Sequence, residues 1–358
     1  MILRGSNDVR ERIACALCAR TQSVIVERYG YNTSRLAVCC SGAWKGKRLF
    51  AKILLADPYP VPPRFRAPWE APSRDSVPVR AITEQIDAEW NMTLKMLRLS
   101  GGRSVPVPMG RSLSARTIVW EEAGGISLVR ALKWSGWRSS MAKAGAEALL
   151  KAGSWLRGVH DASKEGMEVV AARDLIQTVI ESSRQKQDDA GHYESVASRI
   201  LEGWLTKRAA GDSFKVPVAL THGDFCLSNL LWNTADKQLA VIDFELSGFR
   251  PTYYDLFALV ADLRAMLLNP LIPKSVVHSW EESFWQGYGP TPTEVLEFVK
   301  ALALARVFYY HFSRLLTRRE RKGWIGGINA QLYRTFLEGR VITQRLDLPP
   351  DLDCSHRK

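Results

Sequence analysis

The 358-residue chain contains no run of 18 or more uncharged apolar residues, so no segment has the length and polarity of a membrane-spanning helix. Its longest candidate, VLEFVKALALARVFYYHF (295–312), is interrupted by Glu297, Lys300 and Arg306 and predicts an amphipathic helix instead. The opening MILRGSNDVRERIACALCAR mixes charges of both signs and suits a helix capped near Ser6, Asn7 or Asp8 better than a secretory signal. A cytosolic protein is expected. Cysteines number only six, and CALC (Cys15, Cys18) lacks both a second CxxC and a His pair at zinc-finger spacing, which excludes a disulfide framework and a zinc finger. Cys39 and Cys40 stand in an apolar strand pattern and are expected to be core thiols. No helix-turn-helix, RRM or zinc-finger pattern occurs, so no nucleic-acid partner is expected.

The hydrophobic content is 46%, ample for a large core, and the length allows one large or two ordinary domains. Lys and Arg outnumber Asp and Glu by 49 to 37, a formal charge of +12, so the surface potential attracts anions and disfavours polycations. The densest basic run is RLLTRRERK (314–322). It reads either as a solvated helix face or as a peripheral docking surface for phosphate, an anionic glycan or a lipid head group.

The chain divides unequally. SVIVERY, RLAVCC and RLFAKILL, between residue 21 and about 56, are short strand-like runs separated by the turn-formers GYNTS and SGAWKGK, which predicts an antiparallel β-meander. Residues 57–80 carry seven prolines in 24 positions, too many fixed φ angles and missing donors for a helix or a central strand, so an extended insertion is expected. AITEQIDAEWNMTLKMLRL has apolar residues at helical spacing, and RTIVWEE predicts another strand before Gly124-Gly125. Beyond 126 the pattern is mostly helical, apart from residues 220–245.

That exception carries the chemistry. VPVAL runs into Thr221-His222-Gly223-Asp224; Asn229 follows five residues after Asp224, and a second short run, LAVID, delivers Asp243. A carboxamide and a carboxylate on neighbouring segments suit Mg²⁺, which takes few protein ligands because substrate phosphates and waters complete its octahedron. Asn229 and Asp243 are the candidate metal ligands. Asp224 is then left to accept the proton of a hydroxyl attacking a γ-phosphate.

HGDFCLSN followed by VIDFE resembles the HGDxxxxN and hhDxE signature of the aminoglycoside phosphotransferase and choline kinase-like superfamily. The resemblance implies an α+β, bilobal protein-kinase-like fold with a small antiparallel β-sheet N-lobe and a mostly helical C-lobe. The expected divisions are a nucleotide-binding lobe over 1–121, interrupted by the proline-rich insertion 57–80, a catalytic and substrate lobe over 122–345, and a tail over 346–358. It also implies ATP and Mg²⁺ as cofactors, Asp224 as the catalytic residue, and Asn229 and Asp243 as metal ligands. Lys52, in LFAKIL, looks like the lysine that holds the α- and β-phosphates, and Glu89 resembles its acidic partner, with Glu84 as the competing choice. TIVWEEAGGISL (117–128) looks like the adenine hinge. His222, His160 and Asp255 are expected to be architectural, Asp255 by holding the catalytic loop. Glu245 either reaches the metal through water or caps the next turn.

Two departures stand out. ERYGYNTSR offers only Gly30 where a glycine-rich phosphate loop is expected, so phosphate contact there falls to backbone amides and to Asn32, Thr33 or Ser34. Between Lys52 and Glu89 lie 36 residues, an excess filled by the proline-rich run. The expected activity is ATP-dependent phosphorylation of a small-molecule hydroxyl. The charge favours a neutral or anionic sugar, glycan or amino alcohol over an aminoglycoside. The alternative is a non-catalytic kinase-like binding or scaffold protein.

Overall fold

The computed structural model of the chain describes residues 6–31, 37–54, 82–102, 104–133, 139–171, 176, 202–203, 213–269 and 271–307. The proline-rich run 57–80, the basic run 314–322, the tail 346–358 and Asn32, Thr33 and Ser34 lie outside the described residues.

The first helix, α1 (Ser6–Ala16), begins at the Ser-Asn-Asp signal. Strands β1 (Val24–Tyr31), β2 (Ala37–Trp44) and β3 (Lys47–Leu54) then pair antiparallel in sequence order, as the strand runs predict. β2 and β3 close through Lys45 and Gly46, whose φ angles are 49° and 77°. A two-residue turn with positive φ matches the right-handed twist of its strands. Helix α2 (Ile82–Leu99) follows, and β4 (Pro108–Ser112) and β5 (Thr117–Glu121) complete a five-stranded antiparallel sheet in the order β1-β2-β3-β5-β4.

Alternation along β3 assigns its two faces. Leu49, Ala51 and Ile53 are buried with Val9 and Ile13 of α1. Phe50 and Leu54 pack instead with Ile86 and Trp90 of α2, and the period of two turns Lys52 to that same side. One helix therefore seals the sheet, and the other accompanies the lysine.

The remainder is built from β6 (Ile126–Ser127), α3 (Leu128–Lys133), α4 (Ser139–Ala162), β7 (Gly166–Ala171), β8 (Ser213–Thr221), β9 (Leu230–Asn233), β10 (Gln238–Val241), β11 (Gly248–Pro251), α5 (Tyr253–Met266), α6 (Lys274–Tyr288) and α7 (Thr293–Arg306). Beyond 126 the chain is mostly helical, as expected, and residues 220–245 supply strands of two three-stranded sheets, β10-β9-β6 and β11-β8-β7, in which β6, β7 and β11 were not foreseen. Pairing rather than propensity creates the strands the pattern did not reveal: β11 contains Gly248 and Pro251, yet it lies in register with β8 from Gly248–Thr221 to Pro251–Val218. Among the described residues no helix is long and apolar enough to cross a membrane.

Two glycines set the spacing of α4 and α6. A Cβ on Gly153 would lie 2.2 Å from the Phe284 carbonyl oxygen, and one on Gly287 would lie 2.0 Å from that of Leu150. The backbones meet there without side chains between them, and Trp280 on α6 adds a hydrogen bond from Nε1 to the Ala142 carbonyl at 2.9 Å. The fully buried Trp280, Phe284, Leu156 and Phe298 belong to the large core these helices share.

The first turn of α5 grips the segment that leaves β8. Asp255 is completely buried; its Oδ2 accepts the His222 N–H at 2.7 Å and its Oδ1 accepts the Gly223 N–H at 2.9 Å. His160 Nε2 lies 3.2 Å from the same Oδ2, and His160 Nδ1 lies 3.0 Å from the Tyr288 hydroxyl. Burial alone would raise the Asp255 carboxyl, but the hydrogen bonds from His160 and the His222 peptide outweigh it and hold the group below the usual carboxylate range.

Two measurements test this framework. Gly153→Ala is expected to lower stability by about 1–3 kcal/mol through overpacking, read as a lower urea midpoint. Asp255→Ala leaves two buried peptide N–H groups unpaired and should cost about 2–6 kcal/mol, taken as about 1–3 kcal/mol each. Because the folded Asp255 pKa is depressed, its contribution is full above the ordinary carboxylate value and lost as pH falls through the folded one. Asp255→Asn should therefore show a shallower loss of stability on acidification than wild type; identical slopes would contradict the assignment.

Candidate active site

Lys52 and Glu89 meet between β3 and α2. Lys52 Nζ lies 3.1 Å from Glu89 Oε2 and 3.3 Å from Oε1, and Glu89 is only 3% exposed. Glu84, the competing residue, lies one turn earlier on an exposed position of the same helix. The reason is periodicity: Ile86 and Glu89, three residues apart, share the face of α2 that looks toward the sheet. Burial pushes the Glu89 carboxyl up, to about 7, against the opposing pull of Lys52. Burial also works against the Lys52 ammonium, but Glu89, Asp243 and Glu245 together hold its pKa well above the ordinary lysine value. The lysine stays charged.

The other two acidic partners come from the segment after β10. Asp243 Oδ1 lies 3.3 Å and Glu245 Oε2 2.9 Å from Lys52 Nζ. Asp243 has φ +69°, rare for a residue with a side chain. The residue before it is held on both sides: Ile242 N–H donates to the Asn229 carbonyl at 3.0 Å, and its carbonyl accepts from His222 Nε2 at 2.9 Å. His222 Nδ1 accepts the Asp224 N–H at 3.3 Å. These two contacts require the proton on Nε2 and the lone pair on Nδ1. His222 thus ties the chain ahead of Asp243 to the loop that carries Asp224, which is an architectural role.

Gly223 permits that loop. Its φ is +84°, and a Cβ there would lie 2.1 Å from the Leu246 carbonyl oxygen, so only glycine passes. Asn229 closes the loop: its Nδ2 donates to the Asp224 carbonyl at 2.9 Å and to Asp224 Oδ2 at 3.2 Å. With the amide nitrogen committed, Asn229 Oδ1 is the atom presented as an oxygen ligand. The Asp243 carboxylate, 46% exposed, supplies a second hard oxygen donor. This pair fits a divalent cation of the Mg²⁺ type, whose remaining ligands are phosphate and water. Among the described residues no cluster of three or more His, Cys, Asp or Glu side chains forms a self-contained metal cage.

Burial raises the Asp224 carboxyl above the usual range; the Arg306 guanidinium and His222 oppose the shift, while Asp243 and Asp262 add to it. A carboxylate with increased proton affinity is a better acceptor for a hydroxyl proton. Asp224, Asn229, Asp243 and Lys52 therefore converge with Glu89, whereas Asn32, Thr33 and Ser34 fall outside the described residues.

Two participants, Asp262 and Arg306, escaped the sequence, and Glu245 has a partner the sequence did not reveal. Glu245 makes the shortest contact to Lys52. Asp262 Oδ2 accepts the Leu227 N–H at 3.0 Å, and Arg306, at the end of α7, lies over the Phe257 ring at 5.5 Å. Asp262 had a legible signal: it stands seven residues after Asp255 on a helix whose residues 256–261 are all apolar, hence on the same face. Cys39 is a correction as well. Cys40 is a core thiol, but Cys39 is opposite Lys52 in the β2–β3 register and shares its side of the sheet, half-buried. Cross-strand partners point to the same face.

The sequence model of the phosphotransferase enzyme family APH matches residues 94–298, more than half of the chain. No curated protein matches it. Among solved structures, amicoumacin kinase hAmiN superposes with a TM-score of 0.50 at 13% identity, over 96% of this chain and 95% of that one. A choline/ethanolamine kinase family protein from Mesorhizobium loti gives a TM-score of 0.50 at 14% identity, over 97% of this chain and 96% of that one. At such identities the likeness establishes the fold alone, the mixed α+β arrangement of the kinase-like neighbours, while the family match covers the segment carrying Asp224, Asn229 and Asp243. The chain belongs to the APH phosphotransferase enzyme family, and it is a phosphotransferase.

Proposed function

We propose that the protein transfers the γ-phosphoryl group of ATP to a hydroxyl of a small molecule. The observation that carries this reading is the meeting of the Lys52–Glu89 pair with Asp243, one peptide away from the backbone bond that anchors Asn229 and, through it, Asp224. On this reading residues 1–121 hold the nucleotide, and residues 122–345 carry the catalytic loop and the acceptor surface. The amicoumacin kinase that shares the fold was solved with AMP-PNP and Ca²⁺, which supports a nucleotide together with a divalent cation here.

Lys52 is a compact charge on a flexible stem, suited to a phosphate oxygen, and Glu89 fixes where that charge sits. Asn229 Oδ1 and the Asp243 carboxylate would hold Mg²⁺, which when bound neutralises phosphate charge. Asp224 orients the acceptor. Its hydroxyl oxygen attacks the γ-phosphorus, the bond from that phosphorus to the β,γ-bridging oxygen breaks, ADP leaves, and the hydroxyl proton passes to the Asp224 carboxylate. Asn229 Nδ2, bonded to Asp224 Oδ2, keeps one carboxylate oxygen occupied and the other turned toward the acceptor.

The acceptor class follows from charge. The chain carries +12, and the positive charge of Arg306 contributes to the electrostatics of Asp224. A positive surface potential disfavours a polycationic aminoglycoside and favours a neutral or anionic sugar, a glycan or another hydroxyl compound.

Mg-ATP is expected to raise the melting temperature of wild type, and Asp243→Ala to abolish the rise. Asp224→Asn should keep the rise and lose about 10²- to 10⁴-fold in turnover, measured as ADP release with a panel of hydroxylated acceptors. A melting curve that millimolar Mg-ATP leaves unmoved would remove the nucleotide from the account, and phosphorylation of kanamycin-like amines in preference to sugars would contradict the charge argument.

A further inference from the structure

The Lys52 ammonium has three N–H donors, and four carboxylate oxygens lie within 3.3 Å of it: both oxygens of Glu89, Asp243 Oδ1 and Glu245 Oε2. Its donors are saturated. A phosphate oxygen can reach this nitrogen only by displacing one of the three side chains, and they are not equally displaceable. Glu89 is buried to 3% exposure, so separating it from Lys52 would strand an unpaired buried charge. Asp243 is more exposed, at 46%, but its shorter side chain turns on only two torsions from a constrained backbone, with φ +69° and both polar groups of Ile242 engaged, and on the nucleotide-binding reading its carboxylate is the one committed to the cation. Glu245 makes the shortest contact, at 2.9 Å, but its side chain is 39% exposed and turns on three torsions, so its carboxylate can exchange Lys52 for water at small cost.

We propose that Glu245 is a positioning residue that occupies one donor of Lys52 and yields it to a nucleotide phosphate, so that the departure of Glu245 gates nucleotide affinity. The proposal rests on the nucleotide-binding reading of this site and adds a residue to it. Electrostatics works in the same direction. Three carboxylates around one ammonium leave a local formal charge of −2, which repels a triphosphate. A divalent cation entering with the nucleotide relieves that repulsion, so part of the metal dependence of nucleotide binding is assigned to Glu245 and not to the metal ligands alone.

The test is ATP affinity by calorimetry, with excess chelator and again with Mg²⁺, for wild type, Glu245→Gln, Lys52→Met and the double variant. Glu245→Gln is expected to bind ATP on the order of fivefold more tightly than wild type in chelator, narrowing the ratio between the two conditions, and the gain should vanish in the Lys52→Met background. Unchanged or weaker affinity of Glu245→Gln in chelator overturns the proposal. So does a gain of equal size without Lys52, which would reduce the effect to general charge. If wild type binds no ATP even with Mg²⁺, the nucleotide reading itself falls and this proposal falls with it. Thermal melting of Glu245→Gln accompanies the titrations: lost stability with unaltered affinity marks Glu245 as merely structural and sinks the idea.

Discussion

The ammonium of a lysine only 8% exposed is costly unless it is paired, and much of this structure is arranged to pair the one on Lys52. Glu89 has no other role visible in its contacts, and its helix is registered so that Ile86 and Trp90 pack on the sheet while Glu89 meets the lysine. The opposite face of β3, with Leu49, Ala51 and Ile53 against α1, fixes the strand so that alternation leaves Lys52 no other direction. The pair is a poor contributor to stability in itself, since a buried ion pair seldom repays its desolvation. Its value is positional: a fixed positive charge facing Asp243.

The second half of the site is organised by hydrogen bonds rather than charge. Asp255 anchors the peptides of residues 222 and 223, Asp262 anchors that of Leu227, and Asn229 closes the loop onto Asp224. Both aspartates come from one face of α5. His222 then links the loop to the end of β10 through Ile242, so the spacing between Asp224 and the Asn229–Asp243 pair is set by buried side chains holding backbone groups. Each bond has a backbone group as one partner, and a site anchored in this way needs little reorganisation when substrates bind.

Much of this was legible in the residues, and the rest was hidden for physical reasons. The three-stranded meander announced itself through β-branched alternation and turn-formers, and the five-residue step from Asp224 to Asn229 with a strand before Asp243 marked the loop. Glu89 was separable from Glu84 only by asking which shares a helix face with buried Ile86. β11 stayed hidden because Gly248 and Pro251 carry no strand signal, and its partner β8 alone makes it a strand. Glu245 and Arg306 were hidden for another reason. Each acts across a long sequence separation, on Lys52 and on Asp224 respectively, and a charged residue near an element end looks the same whether it faces solvent or a distant partner.

The central claim is that Lys52 stands within reach of the phosphates of a bound nucleotide. An acyl-phosphate derivative of ATP places an electrophilic carbonyl at the phosphate end and transfers it to whichever amine is within reach. Peptide mapping after brief treatment is predicted to find the acyl group on Lys52, with excess Mg-ATP suppressing the label there while surface lysines are unaffected. Labelling spread over exposed lysines, with Lys52 unmodified or insensitive to ATP, would contradict the account.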